Sequence, residues 1–390
     1  MKERIEKICC VLETEFNTIV KDEGILLFLF FVPLIYPLLY SWIYNNEVVR
    51  EIPVIIVDQS HTSQSRLFAR KCDASPDLRI VGHANSIDEG REAIAQQKAF
   101  GIVYIPQDFT ARINRLEQAT VSVYCDMSLM LAYKAIFQTV MAVSADMNSD
   151  IQVMRGGLYT DKENDILTAP LKIDEVAVFN EHSGYGSFIL PGVLMLIIQQ
   201  TLLLSIGLAA GTRYEHLTSP AKACPRTCYK TSEVFIGRTL TYFLIYVALA
   251  AYLLLAVPCF FGFVQQPRPL SLLLFALPYI LACIFFAITI SVFVRQRENV
   301  MLLVVFSSVL LLFMSGVSWP QSNISGFWRT FACLFPSTFG IQGFVALNTM
   351  GAELEDIRWQ VLGLLLHILV YGFLAYFTLR QENARFSGKM

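Results

Sequence analysis

The chain has 390 residues, of which 55% are hydrophobic and only 16% are charged, and its mean hydropathy is +0.51. This balance excludes an ordinary soluble protein and predicts a membrane protein. The net charge of −2 gives no sign of a nucleic-acid partner, because nucleic-acid binding normally relies on a basic surface.

Six apolar stretches contain no Asp, Glu, Lys or Arg, and each is long enough to cross a bilayer core of about 30 Å as a helix. The first is too long for a cleaved signal peptide, and no small-residue cleavage site precedes Asn45. The fold class is therefore an α-helical polytopic membrane protein with six transmembrane helices. The expected spans are residues 24–45, 187–210, 239–264, 269–294, 300–318 and 359–379.

Lys and Arg are distributed unevenly over the short connections between these spans. Thirteen lie in residues 1–24, 211–233, 295–299 and 380–390, against three in residues 265–268 and 319–358. The positive-inside rule then predicts that both termini are cytoplasmic and that residues 46–186 are extracytoplasmic.

Residues 1–23 place apolar side chains at helical spacing, with Lys, Arg and Glu between them. This pattern predicts an amphipathic helix, and its direct continuity with the first span favours a position in the cytoplasmic membrane interface. A plain surface helix of a cytoplasmic tail is the alternative.

Residues 46–186, here called the insert, are mixed in polarity and alternate between strand and helix patterns. Ser86, with Glu89 three residues later, forms a capping box at the start of one helix. Leu171–Phe179 alternates as a closing strand. The insert is therefore predicted to be an extracytoplasmic α/β domain with a mainly parallel or mixed sheet. Its other predicted strands are 52–57, 78–81, 101–105 and 121–124, and its predicted helices are 63–72, 86–97, 108–116 and 129–154.

Residues 327–347 are apolar enough to suggest a seventh span. Arg329 would cost about 2.5–3.5 kcal/mol near the membrane centre. Pro336, Gly340 and Gly343 are expected to break the helix. We therefore expect re-entrant half-helices within residues 319–347, which enter from the outer face between the fifth and sixth spans.

The nine cysteines are scattered along the chain. Cys224 and Cys228 have the wrong spacing for a metal-binding CxxC pair and lack a histidine cluster beside them. Cys72 and Cys125 share the insert, where either a disulfide or two free buried thiols fits their positions. We predict no metal site from the cysteines.

No catalytic motif is present in the sequence. It has no nucleotide-binding Gly-rich loop, no hydrolase elbow and no zinc-protease motif. Asp58, His61 and His83 could approach one another in the insert, but a solvated loop explains them better than an acid–base or metal site. The chain is therefore predicted not to be an enzyme and to need no cofactor.

The predicted spans are also poor in ionisable groups. They contain only His367 in the last span and Gln199 with Gln200 in the second, and hydrogen bonds between helices explain all three side chains. Carriers coupled to protons or sodium usually keep a charged group near the midplane. If this protein transports, its energy is expected to come from another polypeptide.

Several short patterns along nearly the whole chain match one family. They are Lys21-Asp22 and Pro33-Leu34 at the first span; Ile52–Asp58, Ser63, Ser65-Arg66, Ala93 and Gly101–Phe109 in the insert; Asn180 and Pro191-Gly192 at the return into the second span; and Ser315-Gly316, Trp319-Pro320, Pro336 and Gly343-Phe344 in the outer segment. Together they resemble the permease subunit of type-2 ABC exporters, in the subgroup with a large external domain after the first span. Ser315, Gly316, Pro320, Pro336 and Gly343 are its candidate membrane-domain motif.

The resemblance implies a set of partners. These are ABC ATPase subunits, a second copy of the permease or a paralogue, a periplasmic adaptor protein and the lipid of a bacterial inner membrane. The substrate expected for such an exporter with Phe-rich spans is hydrophobic or amphipathic. One departure concerns the second cytoplasmic segment, where Ser205–Leu208 stands in place of the family's usual charged run.

Residues 211–233 form the longest expected internal cytoplasmic loop. Arg213, Glu215, Arg226 and Lys230 lie in it, and charged residues on a short loop suit docking to a soluble ATPase. The alternative is that the basic residues only enforce the membrane orientation.

Two other classes of function compete with export. A membrane-anchored surface protein could bind a partner through the insert without transport, although six spans are more than an anchor requires. A polytopic membrane enzyme is disfavoured, because the sequence offers no candidate catalytic set.

Overall fold

The computed structural model describes residues 2–45, 48–156, 184–218, 229–263, 269–294 and 296–387. The chain forms two compact units. The membrane unit comprises Met1–Glu47 and Ala177–Met390, and the insert unit comprises Val48–Val176.

The described elements follow one another in chain order. The helices are α1 Lys2–Lys21, α2 Glu23–Ile43, α3 Ser63–Asp73, α4 Ile87–Ala95, α5 Phe109–Asn114, α6 Met130–Gly156, α7 Tyr185–Thr218, α8 Thr231–Phe261, α9 Pro269–Ser291, α10 Arg297–Met314, α11 Gly326–Ala332, α12 Pro336–Met350 and α13 Arg358–Ser387. The strands are β1 Ile52–Asp58, β2 Leu78–His83, β3 Gly101–Ile105 and β4 Ser122–Cys125.

Six of the described helices are long and apolar enough to cross a membrane: α2, α7, α8, α9, α10 and α13. This agrees with the predicted polytopic helical fold and with the number of expected spans. The helix pair α11 and α12 would add a seventh candidate if it were counted as one broken span.

Helix α7 lies at the centre of the membrane unit. It packs against α9, α10 and α12, and 94% of the residues in its apolar stretch are buried, against 17% in α13. The weakly buried helices carry their apolar side chains on the surface, as lipid-facing helices do.

Two helices extend beyond the expected spans by about two turns each. Helix α7 was expected to end at 210 but continues to Thr218. Helix α8 was expected to begin at 239 but starts at Thr231. Charged residues led the prediction to end the first helix early and begin the second late, whereas the structure neutralises those charges inside the protein, as described below.

Helix α1 is confirmed as an amphipathic helix. It packs along α8 with Val11, Glu15 and Ile19 buried. The approach is close at Gly237, where an added Cβ would lie 2.7 Å from a methyl carbon of Val11. A tight helix–helix contact therefore holds α1 against the membrane unit.

Helices α11 and α12 are bent by 92° relative to each other. The break lies just before Pro336, which is the first residue of α12. Proline suits this position because its missing N–H would have no partner in the first helical turn.

The expectation that Gly340 and Gly343 break the helix is wrong. Both lie inside the continuous helix α12. A Cβ at Gly340 would lie 2.2 Å from the ring of Tyr279, and one at Gly343 would lie 2.4 Å from the ring of Phe275. These glycines are required because aromatic side chains of α9 occupy the space that a methyl group would need.

The insert unit contains a four-stranded sheet in the order β2-β1-β3-β4. β1 is parallel to β2 and β3, whereas β4 is antiparallel to β3. The prediction of a small mixed sheet is confirmed. The predicted strand Leu171–Phe179 lies outside the described residues.

Helices cover both faces of this sheet. Ile52, Val54 and Ile56 face a core shared with α3, α5 and α6. Ile55 and Val57 point the other way and pack with residues of α4. This alternation explains why β1 reads as a continuous apolar run, because a strand buried on both faces needs no polar side.

The predicted cap of α4 is confirmed in part. The Ser86 hydroxyl accepts a hydrogen bond from the Glu89 backbone N at 3.2 Å. The Glu89 carboxylate accepts from the backbone N of Asn85 at 2.9 Å rather than from that of Ser86. The two bonds still satisfy free N–H groups at the helix start.

Candidate functional site

A cluster of buried charges joins the helix ends at one end of the membrane unit. The Glu15 carboxylate of α1 accepts hydrogen bonds from Arg213 Nη1 at 2.8 and 2.9 Å. It also accepts one from Arg238 Nε at 2.7 Å. The side chains of Glu15, Arg213 and Arg238 are 5%, 8% and 7% exposed. One carboxylate therefore ties α1 to the end of α7 and to the start of α8.

Glu382 of α13 completes this charged cluster. Its carboxylate lies 3.8 Å from Arg238 Nη1. The four side chains, Glu15, Arg213, Arg238 and Glu382, carry two negative and two positive charges. Neutrality matters because an unpaired charge at such a depth would cost several kcal/mol, about 3–5 when one partner is removed.

Asp22 forms a second polar junction beside the first. Its carboxylate accepts from Arg297 Nη2 at 2.6 Å and from the Thr212 hydroxyl at 3.0 Å. It also caps α2 through the backbone N atoms of Gly24 and Ile25. Asp22 thus connects the start of α2, the end of α7 and the start of α10.

The pKa of Asp22 reflects two opposing influences. Partial burial raises it, but the hydrogen bonds from Arg297, the Ile25 backbone and Thr212 lower it below the usual carboxyl value. Asp22 is therefore held as a carboxylate, which is the form that its partners require.

The two junctions place several helix ends together. α2, α8 and α10 begin there, whereas α7 and α13 end there. Consecutive spans alternate in direction, so an even number of them returns the chain to the end of the membrane unit at which it started. The N-terminal helix and the last turns of α13 therefore lie at the same end of the membrane unit.

Three of the four residues that were predicted for ATPase coupling lie in the described part of the chain. Arg213 is buried in α7 and paired with Glu15. Glu215 is exposed on the last turns of α7. Lys230 precedes α8, and its backbone N donates to Glu233 at 2.9 Å. Arg226 lies outside the described residues. The expected loop 211–233 is thus helical at both of its ends.

Sequence reasoning missed Glu15, Asp22, Arg238, Arg297 and Glu382. One signal was available for Glu15, which lies four residues after Val11 and four before Ile19. It therefore falls within the apolar stripe of α1, where a carboxylate needs a buried partner. The partners follow almost 200 residues later, and no local pattern indicates them.

Polar groups from other helices satisfy the backbone at the break between α11 and α12. Gln199 Oε1 of α7 accepts from the Ser337 backbone N at 2.6 Å. His367 Nε2 of α13 lies 3.0 Å from the Cys333 carbonyl oxygen, and the Tyr371 hydroxyl donates to that of Leu334 at 2.6 Å. A broken helix at membrane depth needs such replacement partners.

These contacts confirm the interpretation of the polar residues in the spans. Gln199 bonds to α12 as described, and Gln200 Nε2 donates to the Ser307 hydroxyl of α10 at 3.3 Å. His367 has a partner in the Cys333 carbonyl. Each of the three side chains thus has a hydrogen-bond partner on another segment of the membrane unit.

Two of the motif residues, Ser315 and Gly316, lie at the end of α10. The Ser315 hydroxyl donates to the Leu312 carbonyl at 2.6 Å. The amide of Gln342, from α12, lies 3.5 Å from the Ser315 carbonyl. Gly316 has a φ of +92°, and a Cβ there would lie 2.6 Å from Gln321. Glycine is therefore required at this turn. Pro320 precedes the short 3₁₀ turn Gln321–Asn323.

The structure brings some of the motif residues together and not others. Ser315 and Gly316 approach α12 through Gln342, whereas Pro336 begins that helix and Gly343 faces α9. These residues therefore shape the packing and turns of the outer segment.

Of the three insert residues that were weighed as a metal or acid–base site, Asp58 and His61 belong to one turn, and His83 is the last residue of β2. Asp58 accepts from the backbone N atoms of Ser60 and His61 at 2.9 and 3.1 Å. Across the described parts of the chain, no group of three or more His, Cys, Asp and Glu side chains is placed to hold a metal ion. Cys224 and Cys228 lie outside those parts.

Comparison with known proteins gives one result. The family model described as ABC-2 family transporter protein matches residues 24–377, which is most of the chain. No curated protein matches it.

Proposed function

Because this chain belongs to the ABC-2 family of transporter membrane proteins and is the permease subunit of an ABC transporter, we propose that it exports its substrate. ATP hydrolysis on separate subunits would supply the energy. The substrate proposed is hydrophobic or amphipathic, and a second copy or a paralogue would complete the pathway.

The observation that carries this proposal is the buried charged cluster around Glu15. It fastens the amphipathic helix α1 to α7 and α8 through bonds of 2.7–2.9 Å. A force applied to α1 or to the adjoining helix ends would therefore reach α7, the most buried span. A membrane anchor without transport would have no need of such a connection.

The proposed orientation follows from the charge distribution. The end that carries the cluster faces the cytoplasm of a bacterial inner membrane, and the insert is extracytoplasmic. Helices α11 and α12 would then be re-entrant from the outer face. A periplasmic adaptor is a further proposed partner of the insert.

The proposed ATPase contact uses Glu215, Arg226 and Lys230, which belong to the segment 211–233. Glu215 is exposed, and Arg226 and Lys230 follow it towards α8. Arg213 would act indirectly, because its guanidinium is already bound to Glu15. Charges at a polar rim add orientation and association rate to a docking contact.

Co-purification of the ATPase tests this proposal. The double variant Glu215→Ala with Arg226→Ala should recover less ATPase subunit and show less substrate-stimulated ATP hydrolysis, with unchanged membrane insertion. The matched control is Asp88→Ala with Arg91→Ala, which removes an exposed pair of the insert with a separation of 3.5 Å.

The control should retain the ATPase, because the insert is proposed to lie on the other side of the membrane. Normal ATPase recovery in the Glu215/Arg226 variant would remove this segment from the coupling role. Failure to recover any ATPase with the unaltered protein from its native membrane would count against the exporter as a whole.

A further inference from the structure

The insert unit contains a cleft of about 580 Å³. Helix α6 forms one side, and α5 with β4 and the segment before it forms the other. This volume falls within the range of about 300–1,000 Å³ that is typical of small-molecule sites. The residues that line the cleft all belong to the insert unit.

Apolar and aromatic side chains dominate the deeper walls. Phe68 and Phe109 pack edge to face with ring centroids 6.4 Å apart, and the rings of Tyr133 and Phe137 stack at 5.9 Å. Phe137 and Met141 are nevertheless 45% and 57% exposed. Large apolar groups exposed together in a concave surface indicate a binding site, and methionine adapts to ligands of different shape.

The polar part of the lining is negatively charged. Among the described residues that line the cleft, Glu117 is the only charged one, and Gln118, Thr120, Ser144 and Asn148 are neutral. A carboxylate and aromatic rings in the same lining both favour a positive charge, the carboxylate directly and the rings through cation–π attraction. The carboxylate disfavours an anion.

We propose that this cleft binds an amphipathic cation, which has an apolar or aromatic body and a positively charged nitrogen or phosphonium centre. The body would lie against Phe137 and Met141, with the charge towards Glu117. That this ligand is the cargo of the transporter rests on the proposed function, whereas the binding itself does not.

Cys125 provides a built-in reporter of occupancy. It lines the cleft and is half-buried, and burial raises the pKa of its thiol to about 11. Cys72 lies deeper in the same core, and burial raises the pKa of its thiol to about 12. Both are free thiols. The raised pKa slows alkylation of both thiols, because the thiolate is the reactive form. Cys125 is half-buried whereas Cys72 is buried, so a small alkylating reagent at alkaline pH should modify Cys125 while leaving Cys72 largely unmodified in the folded protein.

The test uses the full chain in lipid nanodiscs, with tetraphenylphosphonium as the cationic probe and tetraphenylborate as its anion of matched shape. Alkylation of each cysteine is measured by peptide mass spectrometry. With the cation at ten times its dissociation constant, about nine sites in ten are filled, so modification of Cys125 should fall about tenfold. The exposed Cys9 and Cys10 should react as before.

Two variants of α6 test whether the cation binds in the cleft or only in the lipid. Ser144→Trp places a ring into the cleft and should abolish the protection of Cys125 by the cation. Ala142→Trp is the matched control, because Ala142 is exposed and lies outside the lining. It should behave like the unaltered protein. Cys72 must stay unreactive in both variants, which shows that the insert is folded.

The carboxylate is tested by Glu117→Gln. Loss of a contact worth about 1 kcal/mol in water corresponds to about fivefold weaker binding of the cation, whereas binding of the anion should not weaken. Equal protection by both ions, or unchanged affinity in this variant, would overturn the assignment of a cation.

Absence of protection, or a Cys125 that is already unreactive without the probe, would overturn the site itself. If the probe protects Cys125 but does not stimulate ATP hydrolysis by the complex, the binding site stands and its role in export fails. The ATPase co-purification described above is unaffected by either result, so the two proposals fail separately.

Discussion

Glu15 holds the charged cluster together because its carboxylate bonds to two arginines at once. Arg213 and Arg238 both bond to its carboxylate, and Glu382 reaches only Arg238, at 3.8 Å. A buried ion cluster contributes less to stability than its number of contacts suggests. Its members are nevertheless costly to remove singly.

We predict that Glu15→Gln destabilises the membrane unit by about 3–5 kcal/mol, because Arg213 would then lose its carboxylate partner and Arg238 would keep only the more distant Glu382. Unfolding of the purified protein in detergent measures the change. Glu13→Gln is the control, since Glu13 is exposed on the same helix and its loss should have little effect. Equal stability of both variants would contradict the buried role of Glu15.

Asp22 should make stability depend on acid pH. Its folded-state pKa is lowered below the usual value of 3.8, so its ionised form stabilises the fold at higher pH. This contribution is lost as the pH falls below about 4 and through the folded-state pKa. Asp22→Asn should be less stable than the unaltered protein at pH 6 and lose less stability on acidification. Parallel stability curves from pH 6 to pH 3 would show that Asp22 contributes nothing.

At the scale of elements, the junction of α9 with α12 depends on small residues and the break before α12 depends on polar ones. Gly340 and Gly343 let the helices approach closely. Gln199, His367 and Tyr371 supply hydrogen bonds to the interrupted backbone. The bend is thus held by neighbouring helices rather than by the flexibility of its own residues.

We predict that Gly343→Ala costs about 1–3 kcal/mol of stability, because the added methyl group overpacks the contact with Phe275. Thermal unfolding in detergent is the measurement. Gly326→Ala is the matched control, because a Cβ there meets nothing within 4 Å. Loss of stability in the Gly326 variant of the same size would show that the effect is not specific to the close contact.

At the scale of the whole molecule, the open question is which end of the membrane unit faces the cytoplasm. The helix ends around Glu15 and Asp22 lie together, and the excess of Lys and Arg in the sequence is found in the segments next to them. Both observations lead to the same orientation under the positive-inside rule.

We predict that a membrane-impermeant thiol reagent labels single cysteines at Ser63 or Asn114 in intact spheroplasts, in a background without the native cysteines. Cysteines at Thr227 or Ser387 should react only after the membrane is opened. Lys71→Cys, on the same helix as Ser63, serves as a second external position. The reverse pattern of labelling would overturn the orientation and with it the export proposal.

The sequence by itself determined the spans, the amphipathic first helix and the alternation of strands and helices in the insert. Each of these depends on the order of apolar and polar residues over a few turns, and burial of apolar surface enforces that order locally. Gly340 and Gly343 were misjudged because their neighbours come from another helix.

Only the tertiary structure decided which charges are structural. Glu15 lies 198 positions from Arg213 and 223 from Arg238, and a charge's free energy of burial depends on such partners rather than on its neighbours in sequence. For the same reason, Arg213 appeared from the sequence to be a docking residue, whereas the fold buries it against Glu15.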